Sequence, residues 1–310
     1  LALDAKPELN YLADAIRGGL ASGKTKEQWQ AEDAAFWDFW RARREWAKTK
    51  EGPVPTAVPQ AGPDNPWNSH APTVLYENML APIIPYTARG VIWYQGESNA
   101  GKPDEYRILF PTMIEAWRKL WNRPDLPFYF VQLAAYEHPV HKWAGLRAAQ
   151  TFTRDTVPHT GMALAIDVGE EHQIHPRAKQ PVGDRLARLA RAQVYGEDVV
   201  SRGPVFQRLE KKRHAVRVVF QCSDKKEGEG SAFKGLETRD GNLDVPGFEV
   251  AGNDGEFYPA QARIVSKDTV ELICSEGKKT VSVRYAWHNW VEPPVTLQNS
   301  AGLPAEPFER

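Results

Sequence analysis

Two short polar runs follow apolar stretches that read as buried strands. The first is Gln95-Gly96-Glu97-Ser98-Asn99, after Gly90-Val91-Ile92-Trp93-Tyr94. The second is His175-Pro176, a few residues beyond Met162-Ala163-Leu164-Ala165-Ile166-Asp167. A neutral imidazole near pH 7 can take a proton from a hydroxyl nucleophile and return it to a leaving alcohol. Pro176 holds His175 out of helical geometry and so in a loop. Gln95, or the backbone at Gly96, could present a donor to the oxygen that turns negative in a tetrahedral intermediate. Glu97 cannot donate when ionised, so its expected role is to orient a neighbour such as Arg147. Asn99 is a further candidate substrate contact. The plain alternative is that this block only turns the chain from strand to helix.

A third group to orient His175 is less clear in the residues. The nearest acids are Asp167 at the strand end, then Glu170 and Glu171. Either one of them serves, or the site runs as a Ser–His pair with a backbone carbonyl holding the ring. His172 has only its position to recommend it. A rival arrangement uses Ser98. Gly96-Glu97-Ser98-Asn99-Ala100 approximates a strand–turn–helix nucleophile elbow, and the order Ser98, Asp167, His175 fits a triad of that kind. The elbow launches its helix at the serine, whereas here Gly101-Lys102-Pro103 intervenes, and Pro103 suits a helix first turn.

Longer runs carry more information. Trp93-Tyr94-Gln95-Gly96-Glu97-Ser98-Asn99 and Ile174-His175-Pro176-Arg177 through Gly183 are joined by Trp143, Leu146, Arg147 and Gln150 at helical spacing. They are joined too by Pro72–Pro82 and by a tail ending Gly302-Leu303-Pro304-Ala305-Glu306-Pro307-Phe308. Together these resemble the sialate O-acetylesterase family, a branch of the SGNH (GDSL-like) serine esterases. The resemblance implies a carbohydrate O-acetylesterase with His175 as base and acid and Gln95 at the oxyanion. It implies no metal or cofactor, and a secreted, periplasmic or lysosomal setting. Arg147 would be a structural pair for Glu97 or a contact for a sialic acid carboxylate. Acetylxylan or another polysaccharide ester is an alternative substrate, and a non-catalytic sugar-binding relative an alternative class.

Two departures stand out. The family's G-Q-S-N nucleophile loop occurs nowhere in the 310 residues, and where the family has D-x-x-H, position 172 is His. The expected partner is therefore an N-terminal segment of the same protein that carries the serine. Glu77-Asn78 also replaces the family's Asn plus a small residue.

The elements that must position these groups can be read from periodicity. Strand–helix alternation from 89 to 196 implies a parallel sheet with crossover helices. Strands are expected at Val91–Tyr94, Phe128–Leu133 and Met162–Asp167. Helices are expected at Asp104–Trp121, around Trp143–Arg154 and over 179–195, closed by Gly196. Ligand sites of such sheets lie beyond the carboxyl ends of the strands, where both polar runs fall. Three parallel strands are too few for a sheet covered on both faces, in keeping with a preceding segment outside this chain. From Val199 the pattern alternates with period two, at 214–220, 262–265, 269–274 and 280–286. Turns are expected at Gly228-Glu229-Gly230, Arg239-Asp240-Gly241 and Asn253-Asp254-Gly255.

The expected fold is thus α/β: part of an SGNH-type three-layer parallel-sheet domain over 73–198, then a small antiparallel β-domain over 199–310. Residues 1–72 are a helical region and proline-rich loop packing on the catalytic body. There an apolar stripe (Leu9, Tyr11, Leu12, Ala15, Ile16, Leu20) precedes a helix carrying Trp29, Phe36, Trp37, Trp40 and Ala47. These rings read as helix packing or, for one of them, as a sugar platform.

A formal charge of −1, from 39 basic and 40 acidic residues, speaks against a nucleic-acid groove. No apolar run reaches membrane-spanning length. Cys222 and Cys274 read either as two buried thiols or as a disulfide between neighbouring strands.

Overall fold

The computed structural model of the chain describes residues 6–49, 51–53, 75–84, 86–137, 143–212, 215–222, 235–273, 282–292 and 294–310. Most of the proline-rich stretch, Cys274 and the expected Gly228-Glu229-Gly230 turn lie outside these residues. The chain forms two compact units, Leu1–Ala88 with Lys119–Asn122, and Arg89–Arg118 with Arg123–Arg310.

The first unit holds helices α1 (Asn10–Ala21) and α2 (Lys26–Thr49), then short helical turns at Tyr76–Leu80 and Ala81–Ile83. Helix α2 starts with a reciprocal cap. Gln28 N–H donates to Thr25 Oγ1 at 3.3 Å, and Thr25 N–H donates to Gln28 Oε1 at 2.8 Å. Trp29 is buried, with the Lys24 ammonium 4.2 Å from its ring centre. Tyr11 is exposed. The side chains of Phe36, Trp37, Trp40 and Ala47, and of the other α1 stripe residues, lie outside the described set.

The second unit begins with a parallel sheet, β1 (Val91–Trp93), β2 (Phe128–Val131) and β3 (Thr160–Ala163), in that spatial order. Helices α3 (Pro103–Leu120) and α4 (Trp143–Thr156) connect the strands, and α5 (Gln180–Gln193) follows. Phe128, Phe130 and Met162 pack with Phe110, Ile114, Trp143 and Leu146 in one core. On the other face Tyr129 and Ala163 meet Leu189, while Val131 meets Val182. Ile92 pairs with Tyr129 and so shares that second face, yet it is 70 % exposed. Helix α5 ends as expected, with Gly196 at φ +69°, where a glycine carries no steric penalty.

Strands β2 and β3 stop short of their expected ends. At β2 the Gln150 side chain takes over the ladder: its Nε2 donates to Val131 O at 3.1 Å and its Oε1 accepts Leu133 N–H at 3.0 Å. At β3 the run Leu164–Ile166 stays buried but leaves the ladder and turns, with Val168 N–H bonded to Ala165 O. Its apolar character predicts burial correctly and extension wrongly, since buried loop and buried strand share that signature.

The β-rich part contains β4 (Val205–Lys211), β5 (Ala215–Gln221), β6 (Leu236–Thr238), β7 (Phe248–Ala251) and β8 (Phe257–Pro259). It continues with β9 (Gln261–Ser266), β10 (Thr269–Ile273), β11 (Ser282–Tyr285), β12 (Leu297–Asn299) and β13 (Phe308–Glu309). They form antiparallel sheets in the orders β4-β5-β10-β9, β13-β11-β7-β8 and β12-β6. The expected turns at 239–241 and 253–255 are present, hydrogen-bonded from Gly241 N to Thr238 O and from Gly255 N to Gly252 O. Cys222 is a free thiol in this core, and burial pushes it up to about 12.

The two parts of this unit share a core, since Ala135 and Ile166 pack among Val218, Phe248, Leu272 and Tyr285. A buried ion pair crosses as well: Glu306 in the tail pairs with Arg154 and accepts from Thr151 Oγ1 at 2.8 Å.

Candidate active site

The Gln95 block leaves β1 through Gly96, whose φ of +144° favours glycine. A Cβ there would also stand 3.0 Å from Leu146 Cδ2. A single 3-10 turn, Glu97–Asn99, follows, closed by Asn99 N–H to Gly96 O at 2.9 Å and Ala100 N–H to Glu97 O at 3.2 Å. Gln95 Nε2 donates to Asn99 Oδ1 at 3.4 Å, and both residues are half-buried. Ser98 is exposed in the middle of this turn, and α3 starts only at Pro103. That is not the geometry of an elbow, whose helix begins at its nucleophile.

Glu97 sits among tyrosines. Burial first, and the Glu97 charge second, push the Tyr94 hydroxyl up to about 12. Burial also raises Tyr106, with the Glu97 charge acting in the same direction. Its expected partner Arg147 is engaged elsewhere.

The His175 loop is built by local side-chain bonds. Glu170 Oε1 accepts Arg177 N–H at 2.7 Å, and Gln173 Oε1 accepts His175 N–H at 3.2 Å. Ile174 packs into the core under the sheet and Pro176 is buried, which leaves His175 exposed between two anchors. The Lys179 ammonium, four residues on, lies 4.9 Å from the Tyr94 ring centre. This contact brings the loop after β3 to the end of β1, so both polar runs lie on one rim of the sheet.

Among the described residues no carboxylate lies within ion-pair distance of the His175 ring. Asp167, a candidate orienting acid, has another occupation. Its carboxylate is 1 % exposed and meets Arg185 through two bonds of 2.7 Å. Arg239, from the β-rich part, donates to it as well. Asp167 in this structure is the centre of an ion triplet that ties the end of β3 to α5 and to the 239–241 turn. Glu170 caps the loop, and Glu171 lies 3.6 Å from His172, which is exposed.

Arg147 is also a strut rather than an anion contact. It is 1 % exposed, and its guanidinium donates to Leu133 O at 3.1 Å, Ala134 O at 3.1 Å, His288 O at 2.7 Å and Asn289 O at 3.2 Å. Burial pulls it down to about 9, still charged at neutral pH, and carbonyl dipoles take the place of a counter-ion. Trp143, Leu146 and Gln150 share its buried face of α4, as their spacing predicts.

A family described as carbohydrate esterase, sialic acid-specific acetylesterase, matches residues 34–192. The chain belongs to this family. It is 27 % identical over 315 residues to the sialate O-acetylesterase of Homo sapiens, covering 92 % of this chain and 56 % of that protein. Against the Rattus norvegicus enzyme of the same name it is 30 % identical over 266 residues, covering 76 % and 46 %. The crystal structure of a carbohydrate acetylesterase from Xanthomonas citri superposes with a TM-score of 0.68 at 37 % identity, over 77 % of this chain and 54 % of that one. The chain thus spans about half the length of the relatives it matches. The α/β architecture followed by a β-domain agrees with that structure. Among the described residues no helix is long and apolar enough to cross a membrane.

Two residues that matter to the site escaped the sequence reading: Lys179, whose ring contact joins the two loops, and Gln173, which fixes the His175 backbone. Lys179 belongs to the run that carries the resemblance, and its spacing four residues after His175 was the available signal.

Proposed function

We propose that this chain is the histidine-bearing part of a carbohydrate O-acetylesterase whose nucleophilic serine lies on a segment outside residues 1–310. The observation that carries this reading is the shared rim: exposed His175 and the Gln95 block, joined through Lys179 and Tyr94.

In the proposed reaction the serine oxygen attacks the acetyl carbonyl carbon and gives its proton to His175. Charge on the carbonyl oxygen is met by Gln95 Nε2 or the Gly96 N–H. The imidazolium then protonates the departing sugar oxygen as the C–O bond breaks. Water, activated by the same imidazole, releases acetate and restores the serine. Because Asp167 and Glu170 are already paired, the site runs as a Ser–His pair. Glu97 orients the Gln95 turn, and Asn99 holds Gln95 through its side chain.

The serine-bearing partner is supported by the open edge of β1. In a parallel sheet both faces are covered and interior strands are paired on both sides. Among the described residues β1 pairs only with β2, and Ile92 is bare on the face that α5 covers over β2 and β3. A strand and helix from the preceding segment fill that place. The compartment that fits such a reaction is secreted, periplasmic or lysosomal.

A second reading keeps the chemistry and changes the sugar. Arg147, for which contact with a sialic acid carboxylate was one of two alternatives, is spent on four carbonyls, which favours acetyl esters on neutral polysaccharide. A fluorophosphonate serine probe on the full-length protein is expected to label a peptide outside residues 1–310. Labelling of Ser98 would overturn the assignment.

A further inference from the structure

One cavity lies beside the rim and takes its walls from both parts of the second unit. It measures about 790 Å³, within the range of small-molecule sites and large enough for a sugar ring. Ala100, immediately after the Gln95 block, forms part of one wall. The loop that follows β11 forms another, through Trp287, His288 and Trp290.

That loop is held firmly. Asn289 Oδ1 accepts Trp143 N–H at 2.7 Å, and Asn289 O accepts Tyr136 N–H at 2.9 Å. Arg147 grips the carbonyls of His288 and Asn289 as described above. Trp290 packs against the β-rich core while lining the cavity, and its indole N–H donates to Glu292 at 3.2 Å. A ring backed by core on one side and open on the other is a platform. A platform already immobilised loses little entropy when a ligand stacks on it.

The charges decide the kind of ligand. Arg284 also lines the cavity, but its guanidinium is bidentate on Glu249 at 2.7 and 3.1 Å. His288 Nε2 contacts the same carboxylate at 2.7 Å. The two potential cations share the Glu249 carboxylate, and Arg284 also lies 3.9 Å from that of Glu309, while exposed Glu137 adds a third carboxylate on the wall itself. A surplus negative field disfavours anions and leaves hydroxyls and apolar C–H faces to be recognised.

We propose that this cavity is a subsite for a neutral pyranose, the sugar neighbouring the acetylated one, with Trp287 and Trp290 as its stacking surface. The proposal rests on the acetylesterase reading only in taking the ligand to be part of the substrate glycan. Binding itself is measured without any hydrolysis.

The test is titration of the full-length protein with methyl β-D-galactopyranoside and with the methyl α-glycoside of N-acetylneuraminic acid, followed by ligand-observed NMR. The neutral glycoside is expected to bind, and Trp290→Ala to weaken it by about tenfold or more, as loss of a stacked ring requires. Trp290→Phe, which keeps a ring, should bind within about threefold of wild type. The anionic glycoside should bind at least about tenfold more weakly than the neutral one. Neutral-glycoside binding indifferent to Trp290→Ala, no binding at all, or equal binding of the anion overturns the proposal. Failure of the esterase reading shows separately, as aryl acetate hydrolysis that survives His175→Ala.

Discussion

Helix α4 and the rim above the sheet carry the family resemblance equally well, but physically they are opposites. In α4 the matched residues are shut away: Trp143, Leu146, Arg147 and Gln150 all fall at or below 2 % exposure, and the side chains of Arg147 and Gln150 are bonded to backbone. On the rim His175 and Ser98 are exposed and Gln95, Glu97 and Asn99 half-buried. A buried guanidinium bonded to four carbonyls fixes the fold. A polar group left open on a braced loop is free to meet a substrate. The two motifs thus divide one task, α4 holding the loops after β2 and β11 in place and the rim presenting the groups proposed to react.

That contrast can be broken by substitutions that move activity and stability independently. His175→Ala in the full-length protein should cost on the order of 10³-fold or more in kcat/KM on an aryl acetate. Its melting temperature should stay unchanged, because the ring has no partner among the described residues. If more than about a tenth of activity survives, the rim is not catalytic. Arg147→Ala should do the reverse. Removing the guanidinium leaves the buried carbonyls of Leu133 and Ala134 without it and releases the His288–Asn289 segment, and a loss of about 3–5 kcal/mol is expected from denaturant unfolding. An Arg147→Ala variant of wild-type stability would mean that the α4 side of the comparison is wrong.

Smaller changes sharpen it. Gln95→Ala should lower kcat by about 10²-fold with little change in KM, as one oxyanion donor would. A rise in KM alone would make Gln95 a binding residue instead. The smallest expected effect concerns pH. Burial pushes Glu249 up, but the Arg284 bonds and the His288 charge outweigh it and hold its carboxyl below the usual range. A depressed folded pKa contributes stability above the unfolded value, about 4.3, and loses it as pH falls through the folded one. The melting temperature of Glu249→Gln should therefore lie below wild type near neutrality and converge with it in acid. Curves parallel down to pH 3 or so would remove Glu249 from that role.

Much of this was legible in the chain, and the failures have causes. The parallel strands and their crossover helices follow from apolar runs and 3.6-residue spacing, and Gly196 marks a helix end by its own chemistry. Strand β7 was missed because Phe248–Ala251 is buried on both faces and shows no alternation. Strand β4 was missed because a bulge between Phe206 and Arg208 breaks its period. The occupations of Arg147 and Asp167 could not be read locally, since the decisive partners His288 and Arg239 lie 141 and 72 residues away. His175 and Gln95 stood out through the longer runs that resemble the family, and their place at strand ends, where a parallel sheet exposes its polar loops, agreed with that.

The bare flank of β1 also governs how this polypeptide behaves in a tube. A strand whose edge is unpaired among the described residues and that carries an outward isoleucine is a template for intermolecular β-pairing, the first step of aggregation. Purified as these 310 residues, the molecule should self-associate with rising concentration. A lysine at Ile92 should act as a gatekeeper and suppress this. If a serine-bearing segment covers β1 as proposed, the same lysine would stand in a covered face, and the substitution that helps these 310 residues alone should harm the assembled protein.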